Sequence, residues 1–147
     1  MPTYRISAPA DLLTPANRLA VAEMVTACHS RITLAPRYYV QVLFEPRLAG
    51  EQYISGRIPD IAQIFVSGTI RSGRTDAQKE SLLQDMIEGI SQALKVEKRQ
   101  MWFYLSELPP NQMAEFGERL PASGAEAAWF EALSPEQQRY MSDMDRD

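Results

Sequence analysis

The chain carries one cysteine and one histidine in 147 residues. Cys28 alone closes no internal disulfide, and a single thiol fits a reducing compartment. These two ligands fall short of the Cys and His sets that zinc sites use, so no metal is expected. No run of about 18 apolar residues occurs, and no membrane span is expected. The opening Met1-Pro2-Thr3-Tyr4-Arg5 lacks the basic-then-apolar layout of a secretory signal. Basic charge is scarce too, with 15 Lys and Arg against 19 Asp and Glu, a net charge of −4 and no basic block. That argues against a nucleic-acid partner. What is present is ordinary globular composition, 45% hydrophobic and 23% charged. The expectation is a cytoplasmic domain that works without metal, thiol or other cofactor.

Along the chain the same pattern appears twice. Residues 3–7 read as a strand. Thr14-Pro15 is an N-cap followed by proline in the first helical position. Leu19, Ala22, Val25, Cys28 or His29, and Ile32 then form a helical stripe that Pro36 ends. Tyr38 to Phe44 is rich in aromatic and β-branched residues and reads as a strand stopped by Pro46. Residues 46–60 read as a loop with a short strand at Tyr53-Ile54. A second unit follows: a strand over Ile61–Ile70 with Gly68 as a close-packing or bulge position, an Arg71-Ser72-Gly73-Arg74 turn, and a Thr75-x-x-Gln78 capping box. Leu82, Leu83, Met86, Ile87, Ile90 and Leu94 make its helical stripe, and Met101–Leu105 is its closing strand. The caps Thr14 and Thr75 are 61 residues apart, and the strands opening at Tyr39 and Met101 are 62 apart. A constant offset with matching element order indicates internal duplication.

Two β-α-β units side by side predict an α/β (α+β) fold, a four-stranded sheet with two helices on one face. One domain covers residues 1–147, with repeat one over about 2–60, repeat two over about 61–107 and a C-terminal segment over 108–147. In that segment Ser134-Pro135-Glu136-Gln137 caps a short helix, and Trp129 and Phe130 read as anchors onto the body or a neighbouring subunit. The other sheet face is left bare. With Tyr38, Val40, Val42, Phe44, Ile64, Val66 and Ile70 read onto it, it is expected to pack on other copies of the chain.

Six residues are chemical candidates, each with a plain structural reading beside it. Pro2, once Met1 is removed, exposes a secondary amine at the start of a strand; with Met1 retained it is an amide without basicity. Arg71 and Arg74 flank a turn at a helix N-terminus, where backbone N–H groups add to a carboxylate site; the alternative is a solvated turn. His29 falls on the apolar helix face, as core histidines also do. Glu115, between apolar neighbours, has a raised pKa if buried, or is a partly exposed helix residue. Tyr104 shares a strand face with Trp102 and is core on the plainer reading.

Taken together, these residues resemble the tautomerase superfamily, and within it the cis-3-chloroacrylic acid dehalogenase-like group, from Pro2 to about Trp129-Phe130. The resemblance implies catalytic Pro2, His29, Tyr104 and Glu115, with Arg71, Arg74 and His29 on the substrate carboxylate, and a homotrimer. It implies addition of water to small α,β-unsaturated acids: hydrolytic dehalogenation of cis-3-haloacrylate to malonate semialdehyde, and hydration of acetylenecarboxylates. Ala35 and Tyr39 stand where the dehalogenating members are expected to have threonine and leucine, and the turn reads Arg-Ser-Gly-Arg. Both departures lean toward relatives that hydrate other unsaturated acids. Two alternatives stay open: a keto–enol tautomerase of the phenylpyruvate type, and a non-catalytic carboxylate-binding trimer.

Overall fold

Thr14 starts the first helix as its context predicts. In a computed structural model, which describes residues 2–122 and 124–145, its hydroxyl accepts the Asn17 amide at 3.2 Å and Pro15 follows where no N–H is needed. The elements run β1 (Thr3–Pro9), α1 (Pro15–Thr33), β2 (Gln41–Arg47), β3 (Ile64–Arg71), α2 (Asp76–Leu94) and β4 (Met101–Leu108). A two-stranded hairpin, β5 (Ala114–Glu115) and β6 (Glu118–Arg119), leads to α3 (Glu126–Glu131) and α4 (Pro135–Met144). Among the described residues no helix is long and apolar enough to cross a membrane.

The four long strands form one sheet in the order β2-β1-β3-β4. Each β-α-β unit is internally parallel, β1 with β2 and β3 with β4, and the two units meet antiparallel through β1 and β3. The duplication shows in detail. α1 and α2 are each 19 residues long, and each ends on a left-handed residue, Leu34 (φ 59°) and Lys95 (φ 55°). A short 3-10 turn follows each helix, at Arg37–Tyr39 and Lys98–Gln100. The capping boxes at Thr75–Gln78 and Ser134–Gln137 are both formed.

The core lies between the helices and one sheet face. Leu82, Met86, Ile90 and Leu94 bury one stripe of α2 at four-residue steps, each worth about 1.5–3 kcal/mol of apolar transfer. They meet Tyr4, Ile6 and Ala8 of β1 and Ile64, Val66 and Ile70 of β3. The sequence expectation for the bare face is therefore corrected. Ile64, Val66 and Ile70 belong to the helix-covered core, with Val40, Val42 and Phe44 packed against it, and Tyr38 lies in the 3-10 turn before β2. Strand pairing decides this: Tyr4 and Ile6 face the helices and pair with Val42 and Phe44, so the alternation puts Gln41 and Leu43 outside. The uncovered face carries Thr3, Arg5, Leu43, Phe65, Trp102 and Tyr104, of which Trp102 and Tyr104 are exposed.

Boundaries also differ. The helix ends at Thr33 rather than near Pro36, and β3 starts at Ile64 rather than Ile61. Pro46 does not stop β2, which runs on to Arg47. β2 is an outer strand of the sheet, where a missing N–H leaves no partner unsatisfied. Tyr53-Ile54 forms no named strand, only a bridge between Ile54 and Arg57.

Candidate active site

β1 begins immediately after Pro2, which is buried and whose carbonyl accepts the Gln41 amide at 3.0 Å. The residue at the candidate amine is thus held in the sheet. β3 ends on Arg71, and Gly73, with φ at 105°, turns the chain into α2, a conformation that favours glycine. The capping residue Gln78 also donates from its side chain to the Ile32 carbonyl at 3.1 Å. That bond joins the start of α2 to the last turn of α1, which carries His29.

His29 and Arg71 are almost completely buried, 1% and 3% exposed. Arg71 Nη2 pairs with Glu126 of α3, and its Nη1 reaches the Pro121 carbonyl at 3.4 Å. Its Nε has no partner, nor do Arg74 Nε and His29 Nε2, although all three atoms are buried. Such groups are costly to leave unpaired. Burial lowers the His29 pKa, and the Arg74 and terminal ammonium charges add to it, to about 3. His29 is therefore a neutral imidazole at physiological pH. Burial, and then the Arg71 charge, also lower Arg74 from its ordinary value. Burial raises the Glu115 carboxyl above the usual carboxylate range, opposed by the terminal ammonium and by Arg71. These influences put Arg74 within electrostatic reach of His29 and of Arg71, and Arg71 within reach of Glu115.

Glu115 sits in β5, not in a helix, and is carried by a two-residue turn. Phe116 (φ 54°) and Gly117 (φ 84°) are both left-handed, as a tight hairpin of type I′ requires. Glu115 and Tyr39 line a cleft of about 610 Å³ on the uncovered sheet face, with Thr3, Leu43, Met113 and Phe116. His29, Arg71 and Arg74 are not in its wall. The C-terminal segment closes this region: Trp129 and Phe130 lie 6.0 and 6.2 Å, centroid to centroid, from the rings of Tyr39 and Tyr38. The two aromatics anchor onto the body of the same chain.

A buried, neutral histidine and two arginines with unpartnered Nε atoms, near a carboxyl of raised pKa, can together hold a small carboxylate. The sequence profile described as "oxalocrotonate tautomerase enzyme" matches residues 1–132. The crystal structure of N1, a member of the cis-3-chloroacrylic acid dehalogenase family, is 36% identical over 96% of this chain and 99% of that one, with a TM-score of 0.90. The chain belongs to the cis-3-chloroacrylic acid dehalogenase family of the tautomerase superfamily. Native Ps01740 shares the fold at 24% identity, covering 77% of this chain and 99% of that chain, with a TM-score of 0.72. So does wild-type fused 4-OT, solved as a symmetric trimer, at 18% identity, 80% and 94% coverage and a TM-score of 0.73. No curated protein matches the chain.

Of the six candidates in this dehalogenase-family chain, five gather at one end of the sheet: Pro2, His29, Arg71, Arg74 and Glu115. Tyr104 does not join them. It is 58% exposed on the uncovered face, edge-on to Phe65 with centroids 5.3 Å apart, whereas His29 packs on the helix side. Tyr104 is absent from the cleft wall as well. Two residues at the site, Tyr4 and Glu126, were missed in the sequence, and Tyr39 was singled out there only as a departure from the dehalogenating members. Tyr4 bonds His29 Nδ1 at 2.7 Å, Glu126 pairs with Arg71, and Tyr39 has a buried hydroxyl without a hydrogen bond. Burial raises the Tyr39 pKa, followed by the Tyr38 phenol and the Glu115 and Glu126 charges. Tyr4 was legible in part, since it alternates with Ile6 and Ala8 on one strand face; Glu126 carried no signal.

Proposed function

We propose that this chain adds water to small α,β-unsaturated carboxylates, with Pro2, exposed by removal of Met1, as the proton donor. The observation that carries the reading is the set of three buried, unpartnered nitrogens, His29 Nε2, Arg71 Nε and Arg74 Nε, beside the raised carboxyl of Glu115. In this reading the two guanidiniums and the neutral imidazole hold the substrate carboxylate and draw electron density toward it. Ionised Glu115 takes a proton from water, and the hydroxyl adds to the β carbon. Protonated Pro2 delivers a proton to the α carbon. A halogen on the β carbon gives a halohydrin, which loses hydrogen halide to leave malonate semialdehyde. An acetylenic acid gives the semialdehyde through its enol. Tyr104 is absent from the wall of the cleft that Glu115 lines, so in this reading its assistance to Glu115 comes from a second copy of the chain. We read the assembly as a homotrimer in which the sheet face that carries Tyr104 is covered.

A second reading has its own support. The cleft wall is aromatic, with Tyr38, Tyr39 and Phe116, and suits an aryl group better than a three-carbon acid. Neutral Pro2 would then act as a base in keto–enol tautomerisation of aryl pyruvates. NMR of cis- and trans-3-haloacrylate, an acetylenecarboxylate and an aryl enolpyruvate with protein whose Pro2 terminus is verified by mass separates these. Semialdehyde from the unsaturated acids supports water addition. Ketonisation of the enolpyruvate alone supports the tautomerase, and turnover of none supports a non-catalytic carboxylate-binding trimer.

A further inference from the structure

We propose that Tyr4 is a positioning residue that holds His29 in the tautomer with its proton on Nε2, presenting a neutral N–H donor to the substrate. The role deepens the carboxylate-binding reading and rests on it. Tyr4 is fully buried, its hydroxyl lies 2.7 Å from His29 Nδ1, and among the described residues it has no other hydrogen-bond partner.

Two proton arrangements fit that distance. In one the phenol donates to a bare Nδ1, and the ring proton sits on Nε2. In the other Nδ1–H donates to the phenol oxygen, which strands the phenol proton in the core and leaves Nε2 a bare lone pair. The surroundings favour the first. An unsatisfied buried hydroxyl proton costs about 1–3 kcal/mol. A bare Nε2 would also be an acceptor close to the Arg74 charge, yet His29 Nε2 and Arg74 Nε are both unpaired. Two buried donors without partners, on side chains within electrostatic reach of each other, suit a shared acceptor such as a carboxylate oxygen. Burial also raises the Tyr4 pKa, so the phenol keeps the proton that it donates.

The hydroxyl is held in place by the sheet. Tyr4 pairs with Gly68 across β1 and β3, and a Cβ at Gly68 would come within 2.7 Å of the Tyr4 ring. Glycine there clears the space in which the ring lies. Phe103 closes it edge-on, with centroids 6.2 Å apart and planes at 79°.

His29 is the chain's one histidine, so 15N-histidine labelling reports its ring without ambiguity. At neutral pH the expected spectrum is a pyridine-type Nδ1 and a protonated Nε2. Tyr4→Phe should give a mixture of tautomers and lower kcat/KM on the unsaturated acids about tenfold, with the circular dichroism spectrum unchanged. A wild-type ring protonated on Nδ1 would overturn the assignment, as would a Tyr4→Phe protein with the wild-type tautomer and kinetics. If that variant does not fold, the wild-type spectrum still decides. The tautomer is read without substrate, so its result is independent of whether the unsaturated acids are turned over.

Discussion

Replacing Arg71 with methionine keeps the aliphatic stem and removes the guanidinium, with two separable consequences. The first is on stability. Arg71 is 3% exposed and its Nη2 pairs with Glu126. Stranding one charge of a fully buried pair costs about 3–5 kcal/mol. Glu126 is 34% exposed, so its carboxylate regains water once the partner is gone, and the expected loss falls to about 1–3 kcal/mol. The second consequence is on the reaction. Losing a guanidinium aimed at the substrate should lower kcat/KM by ~100-fold or more, about 2.7 kcal/mol. Glu126→Gln separates the two, because it breaks the same ion pair and leaves the guanidinium in place. It should lose stability comparably and keep most of the activity. Urea unfolding and steady-state kinetics on the same preparations, with the double variant to close the cycle, measure both. The reasoning fails if Arg71→Met loses activity only in proportion to its unfolded fraction. It fails equally if Glu126→Gln is as inactive, since the arginine would then serve Glu126 rather than the substrate.

The His29 pKa is near 3 in the fold against 6.5 for the free side chain, so its contribution to stability is present above about pH 6.5 and lost as pH falls toward 3. The unfolding free energy from urea titrations should therefore fall with acid by up to about 1.4 kcal/mol per pH unit from this group, and His29→Gln should flatten that part of the slope. An unchanged slope would place the titration elsewhere. Glu115 has to be ionised and Pro2 protonated for water addition, so kcat/KM should be bell-shaped in pH. Its acid limb should lie above the ordinary glutamate value of about 4.3; Glu115→Gln should abolish water addition and spare aryl enolpyruvate tautomerisation, and equal loss of both would make Glu115 structural. Tyr104→Phe and Glu115→Gln proteins, each impaired, should regain activity when mixed and reassembled, because each supplies what the other lacks across a subunit contact. Light scattering that shows a monomer at micromolar concentration would refute the trimer.

What was legible in the sequence was local. Thr14, Thr75 and Ser134 cap helices through hydrogen bonds to residues three positions on, so a short window contains the whole interaction. The two-unit pattern was equally visible, as a fixed spacing. The outward face of the sheet was not, because strand parity depends on which residues pair across β1 and β2, and nothing near Val42 in sequence records Tyr4. The turn carrying Glu115 was hidden for a related reason. A phenylalanine in the left-handed region is uncommon, and Phe116-Gly117 carries no strong turn signature before the chain folds back. Arg71 and Glu126 are 55 residues apart, and only the packing of the C-terminal segment brings them together. Arg71 and Arg74 themselves were readable as a pair from their turn, whereas the three unpartnered nitrogens that give the pair its chemical meaning exist only in three dimensions.

The duplicated architecture has a stoichiometric consequence. β1 and β3 are equivalent strands of equivalent units, but only one of them can begin at a chain terminus. β3 is entered from Gln63 through an ordinary peptide bond, and the first residue of that strand, Ile64, is sealed in the core. With Pro2 as the amino terminus, as proposed, the doubled chain has one ionisable backbone nitrogen for every two β-α-β units. The far end of the sheet carries none of the candidate residues: β1 closes on Pro9 where β3 closes on Arg71. A cleft of about 400 Å³ is lined there by residues of the 48–63 connection, Leu48 and Ile58 among them. On the proposed reading the substrate meets only the end of the sheet that carries Pro2 and Arg71, so the 48–63 connection at the other end can change in length and surface without touching the chemistry.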